Sequence, residues 1–121
     1  FRRVLFRSPV ALADAERDRA RAELSLARAE ADAGVARAAR ARDIALARAE
    51  RGRQLVASAN RVAAMSMTAF REGAAPISTV LEAQRTARET LATYIDDLAR
   101  AWIAIATERV LTLTTTPDRP Q

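Results

Sequence analysis

Across residues 10–113 of this chain, a glycine and a proline stand close together in one place only, the segment Gly73-Ala74-Ala75-Pro76. Gly73 can take the left-handed conformation that ends a helix. Pro76 has no N–H to donate and a φ suited to a first turn, so it can open the next helix. Ser78 and Thr79 then fall in that first turn. The segment predicts an all-α fold, a long antiparallel helical hairpin of coiled-coil character. One helix runs out over 10–72, the chain reverses over 73–76, and a second helix returns over 77–113.

The outgoing run has no proline, and Gly34 and Gly52 are its only glycines. Alanine, the strongest helix former, supplies thirty residues of the chain. At the α-helical rise, 10–72 would extend on the order of 95 Å, a length that needs lateral partners. Ala15, Ala22, Ala29 and Ala36 recur every seven residues, and Leu12, Leu26 and Ala33 mark a neighbouring row that Arg19 interrupts. Such a seam lets helices approach closely but buries little area per residue. Nearer the reversal, Ile44, Leu55, Val62, Met65 and Phe70 add bulk, which implies a phase shift around 40–51.

The return run carries three adjacent seven-residue rows. Ile77, Gln84, Leu91, Leu98 and Ile105 form the first. Leu81, Ile95 and Trp102, with Arg88 and Arg109 in register, form the second, and Val80, Ala87, Tyr94 and Ala101 the third. Together they make a face wider than one partner helix covers. A symmetric reversal predicts Leu91 beside Ser58 and Ile105 beside Ile44. The period is lost after Thr112, so the helix is expected to stop near Leu113, with 114–121 a disordered tail. With a thin alanine seam and an uncovered second-helix face, the isolated chain is expected to be marginally ordered, its helicity rising with concentration.

Composition excludes more than it suggests. The chain has no Cys, His or Lys, and its twenty basic residues are all Arg. That removes a disulfide framework, thiolate metal sites and the commonest general base. Asp96 and Asp97 are adjacent and so point to different helix faces. No phosphate-binding glycine loop or nucleophile–base pair is visible. No catalytic, cofactor-binding or metal-binding residue is expected, and the chain is not read as an enzyme. The heptapeptide RRVLFRS at residues 2–8 matches the translation of a sequencing adapter, AGA CGT GTG CTC TTC CGA TCT, so 1–8 are read as non-native. They hold three arginines and no acid; without them seventeen basic residues face fifteen acidic ones, and the net charge falls from +5 to +2. The charge argument for a nucleic-acid partner loses most of its support. Elsewhere Glu16/Arg19, Glu23/Arg28, Glu30/Arg37 and Glu50/Arg53 give mixed-sign, solvated faces.

The residues around the reversal carry a resemblance. The stretch FREGAAPISTVLEAQRTARETL, residues 70–91, resembles the reversal motif of the TolC-like outer-membrane efflux proteins, especially the heavy-metal and multidrug members that work with RND pumps. That motif is an aromatic-Arg-x-Gly turn followed by a Leu-Glu-Ala-Gln-Arg element, and Phe70, Arg71, Gly73, Ile77, Val80, Leu81, Glu82, Ala83, Gln84 and Arg85 match it. With its flanking helices the resemblance covers about 9–113. It implies the hairpin of the second repeat in a homotrimer, whose periplasmic α-barrel joins an outer-membrane β-barrel in a Gram-negative bacterium. The channel is a passive export conduit. Its periplasmic tip, here Arg71, Glu72, Gly73, Ala74, Ala75 and Ser78, docks a periplasmic adaptor (membrane fusion protein) linked to an inner-membrane pump. Contact with the membrane would come only through the β-barrel that is absent here.

The match departs from the family where gating is concerned. Some members close the aperture with a tyrosine, an arginine and aspartates; the corresponding positions are Phe70, Ala75, Thr79 and Glu82. Only Glu82 keeps a carboxylate, which leaves two readings: a ring of three Glu82 side chains, or Glu82 paired with Arg85 on the helix surface. The alternative function is a structural coiled-coil spacer or an adaptor-type hairpin.

Overall fold

A computed structural model describes residues 7–115 and consists of two helices packed along each other, α1 (Arg7–Arg71) and α2 (Ile77–Thr115). Residues 1–6 of the segment read as non-native, and 116–121 of the expected tail, lie outside the described residues. Arg7 and Ser8 belong to the first turn of α1. Pro9 is tolerated there because the first N–H groups of a helix have no partner within it. At its other end α2 continues through Thr114 and Thr115, two residues beyond the expected stop. Both hydroxyls donate to the Leu111 carbonyl, at 2.9 and 2.7 Å, and the next proline comes only at 117.

The seam between the helices follows a strict alternation of three and four residues. On α1 it consists of Val35, Arg42, Ala49, Val56 and Ala63 interleaved with Ala38, Ala45, Gly52, Ala59 and Ser66, all buried or half-buried. On α2 the facing rows are Val80, Ala87, Tyr94, Ala101 and Glu108, and Ala83, Thr90, Asp97, Ala104 and Leu111. Among the described residues, five of the six buried apolar ones are alanines, and Val80 is the sixth. The most deeply buried part of the contact is thus made by small side chains, and each buries little area.

This arrangement corrects three expectations. Ile44, Leu55, Val62, Met65 and Phe70 do not form the seam; all five are exposed, Ile44 by 67%. Of the three α2 rows the third, through Val80, Ala87, Tyr94 and Ala101, lies in the seam; the first borders it, with Gln84, Leu98 and Ile105 half-buried, while Leu81, Ile95 and Trp102 face away. Small rows win the interface because they permit the closest backbone approach, and a bulky row on either side would hold the helices apart. The pairing of Leu91 with Ser58 and Ile105 with Ile44 does not form part of the seam either, since Leu91, Ser58 and Ile44 are exposed. Tyr94 covers Gly52: a Cβ built on Gly52 would lie 3.0 Å from Tyr94 Cδ2, so the ring needs a position without a side chain opposite it.

α1 has 65 residues and α2 has 39, so α1 overshoots. The C-terminal end of α2 lies beside Ala31 and Gly34. Residues 9–33 are exposed on every side, an overhang of roughly 35 Å. The row Ala15, Ala22, Ala29 lies in this overhang and is no part of the hairpin seam. The chain exposes 10325 Å². A compact protein of 13.2 kDa would expose roughly 6,400 Å².

Candidate functional site

The reversal closes α1 with two linked hydrogen bonds. The Ala74 N–H donates to the Ala69 carbonyl at 2.8 Å, and the Gly73 N–H donates to the Phe70 carbonyl at 3.0 Å. This pair, six-to-one enclosing five-to-two, is the Schellman arrangement, and it requires a left-handed residue between. Gly73 supplies it with φ of 74°, the only positive φ among the described residues. Pro76 stands just before α2, and its carbonyl accepts from the Thr79 N–H at 3.1 Å. Proline therefore delivers the chain into the return helix with its first bond already made.

The tip gathers the residues singled out from the sequence. Arg71, Glu72, Gly73, Ala74 and Ser78 are exposed, and Ala75 is half-buried. A Cβ added at Gly73 would meet nothing within 4 Å, so this end is open on the outside. Its surface is a small-residue loop with Arg71, Glu72 and Ser78 at its base.

Glu82 is exposed one turn into α2. Of the two readings for Glu82, the surface pair with Arg85 is not among the close ion pairs of the described residues. Arg85 Nε donates to Glu89 Oε1 at 2.8 Å, the favourable four-residue spacing within a helix. That bond raises the Arg85 pKa above its ordinary value, with Glu82 a more distant contributor. Of the four acid/base combinations named above, Glu50/Arg53 forms a close pair, at 2.7 Å. Hydrogen bonds from Arg53, then Gln54, hold the Glu50 carboxyl down at about 2. Arg19 pairs with Glu23 rather than Glu16.

Sequence reasoning missed the polar residues inside the seam. Arg42 Nη1 lies 2.6 Å from both carboxylate oxygens of Glu108, while its Nε and Nη2 hold Asp43. Its hydrogen bonds to Asp43, and then to Glu108, raise the Arg42 pKa above its ordinary value. Arg48 Nε stands 2.7 Å from Asp97 Oδ1 in an ion pair, and that carboxylate is buried between the helices. Its neighbour Asp96 is exposed, as adjacent helical positions require. Beside the Arg48–Asp97 pair, an open groove of about 600 Å³ runs past Leu55, Thr86, Thr93 and Tyr94. A signal for these pairs was present: Glu108 continues the row of Val80, Ala87, Tyr94 and Ala101 at the same interval of seven. No buried side-chain polar atom among the described residues lacks a partner.

Among the described residues no three acidic groups converge as metal ligands. No described helix is long and apolar enough to cross a membrane. Comparison of the chain with protein-family models, with curated proteins and with solved structures finds no match.

Proposed function

We propose that this chain is the periplasmic hairpin, from the second repeat, of a TolC-like outer-membrane efflux channel, and that its reversal is the tip that docks a periplasmic adaptor. The observation that carries this reading is the coincidence of motif and geometry. The stretch that resembles the family's reversal motif, FREGAAPISTVLEAQR, spans the point where the chain turns, with Gly73 in the left-handed conformation. Three such hairpins, with those of the first repeat, would form the α-barrel of a homotrimeric conduit, and an inner-membrane pump would supply the energy. The small residues Ala74 and Ala75 permit close approach by an adaptor hairpin, and Arg71, Glu72 and Ser78 fix its register. Glu82, exposed and without a close ion pair to Arg85, can contribute one carboxylate per protomer to a ring at the aperture.

The test uses the intact parent protein. Gly73→Val forces a β-branched residue into a left-handed position and should reduce export while leaving outer-membrane insertion unchanged. Ala29→Ser, in the overhang, should do much less. Cross-linking from Ala74→Cys to the adaptor reads the docking directly. If that cysteine reacts only with lipid-facing or extracellular probes, the tip has been assigned to the wrong end of the molecule.

A further inference from the structure

The return helix buries its small row, half-covers Leu98 and Ile105 beside it, and leaves its outer bulky row open. Leu81, Ile95 and Trp102 are 64%, 56% and 70% exposed. Arg88 and Arg109 complete their row, and neither has an acidic partner among the described residues. Leu91 and Leu98 belong to the adjoining row on the same flank. The flank therefore carries a large apolar strip, one tryptophan and two unpaired guanidinium groups, with no carboxylate in either row.

The order of these residues is symmetric about Ile95. Arg88 precedes it by seven residues and Trp102 follows by seven; Leu81 and Arg109 stand fourteen away on either side. Two copies of α2 laid antiparallel with Ile95 against Ile95 would therefore place each Arg88 on the other copy's Trp102. Each Arg109 stem would lie along the other copy's Leu81, and Leu91 would meet Leu98. A guanidinium over an indole face is the favoured cation–π pairing, and an arginine stem can cover an aliphatic side chain while its head stays in water. A parallel pairing would set Arg88 on Arg88 and Arg109 on Arg109, so like charges select against it. We infer that this flank is a self-recognition surface: a second copy of the hairpin docks on it antiparallel, about a two-fold axis at Ile95, with Arg88 and Trp102 as the reciprocal anchors. The inference concerns the chain by itself and does not rest on the channel reading.

The chain contains no cysteine and one tryptophan, so both probes are clean. Ile95→Cys sits on the axis and should cross-link to itself under mild oxidation at least roughly tenfold faster than Ile103→Cys, which is exposed on the opposite flank of the same helix. Trp102 emission of the unmodified chain should shift to the blue as concentration rises. Trp102→Ala and Arg88→Ala should each weaken dimerisation in analytical ultracentrifugation by roughly tenfold, with helix content of the monomer unchanged, since both side chains are exposed. Equal cross-linking at Ile95 and Ile103 would overturn the proposal, as would Trp102 emission independent of concentration. A faster cross-link between Ile95→Cys and Leu55→Cys would mean head-to-tail contact of α2 on the α1 of the next copy, and would overturn it too. None of these outcomes touches the tip, whose test is the adaptor cross-link.

Discussion

The three glycines show how differently one residue type can act within two helices. Gly73 is needed for its backbone, because it alone adopts a positive φ and has open space around it. Gly52 is needed for its missing side chain, because the Tyr94 ring occupies the place of its Cβ. Gly34 is needed for neither; a Cβ there would meet only the far end of Arg37, at 4.0 Å. Gly34→Ala should therefore stabilise the helix by up to about 1 kcal/mol, the full propensity difference. Gly52→Ala gains the same propensity but must displace the ring, which costs about 1–3 kcal/mol, so a net loss of about 1 kcal/mol is expected. Urea denaturation of both variants checks the contrast. Repeating Gly52→Ala in a Tyr94→Ala background should restore the gain, which assigns the loss to the ring.

Within α1 the boundary between covered and uncovered helix falls near Gly34. Residues 9–33 have alanine propensity but are exposed, with only 27–32 beside the end of α2, and beyond them the seam rows meet α2 at every turn. Most helical stability in proteins comes from packing rather than propensity. The two parts of one continuous helix should therefore open independently. Hydrogen exchange on the isolated chain should show amides of 38–66 and 80–108 protected together, and those of 9–30 exchanging at least roughly a hundredfold faster. The Arg42–Glu108 and Arg48–Asp97 pairs lie inside the protected region, where they hold one register against slippage of an alanine interface that would otherwise tolerate several. Uniform protection along all of α1 would contradict this division.

As a whole the molecule has the surface of an assembly component. Its exposed area of 10325 Å² exceeds the roughly 6,400 Å² of a compact protein of its mass, and its bulkiest apolar residues contribute to the excess. No single side chain larger than valine is deeply buried among the described residues, so the hairpin contact contributes only modestly. Helicity measured by circular dichroism should therefore rise with protein concentration, as second molecules cover the α2 flank. A cooperative melt from a monomer, independent of concentration, would show that the alanine seam suffices. Charge does not oppose such association strongly: the net charge is +5 over 121 residues, with arginines and acids interleaved.

What the sequence determined by itself is what local chemistry controls. A left-handed cap can be filled cheaply by glycine, and a proline cannot continue a helix, so the turn at Gly73 and Pro76 was legible from two residues. Alanine made the flanking helices legible in the same way. The tip residues followed, because they lie within a few positions of the turn. Only the tertiary structure decided which rows face inward. Period locates an apolar row but does not rank three of them, and Ile44, Leu81 and Ile95 have the same spacing signal as Ala49, Ala87 and Ala101. The ranking comes from the pair of helices together, since two small rows in contact bring the backbones closer than any combination with a bulky one. Register likewise depends on Tyr94 finding Gly52, and on Arg42 reaching Glu108 across 66 residues of chain. These are contacts between distant positions, settled by what stands opposite each residue.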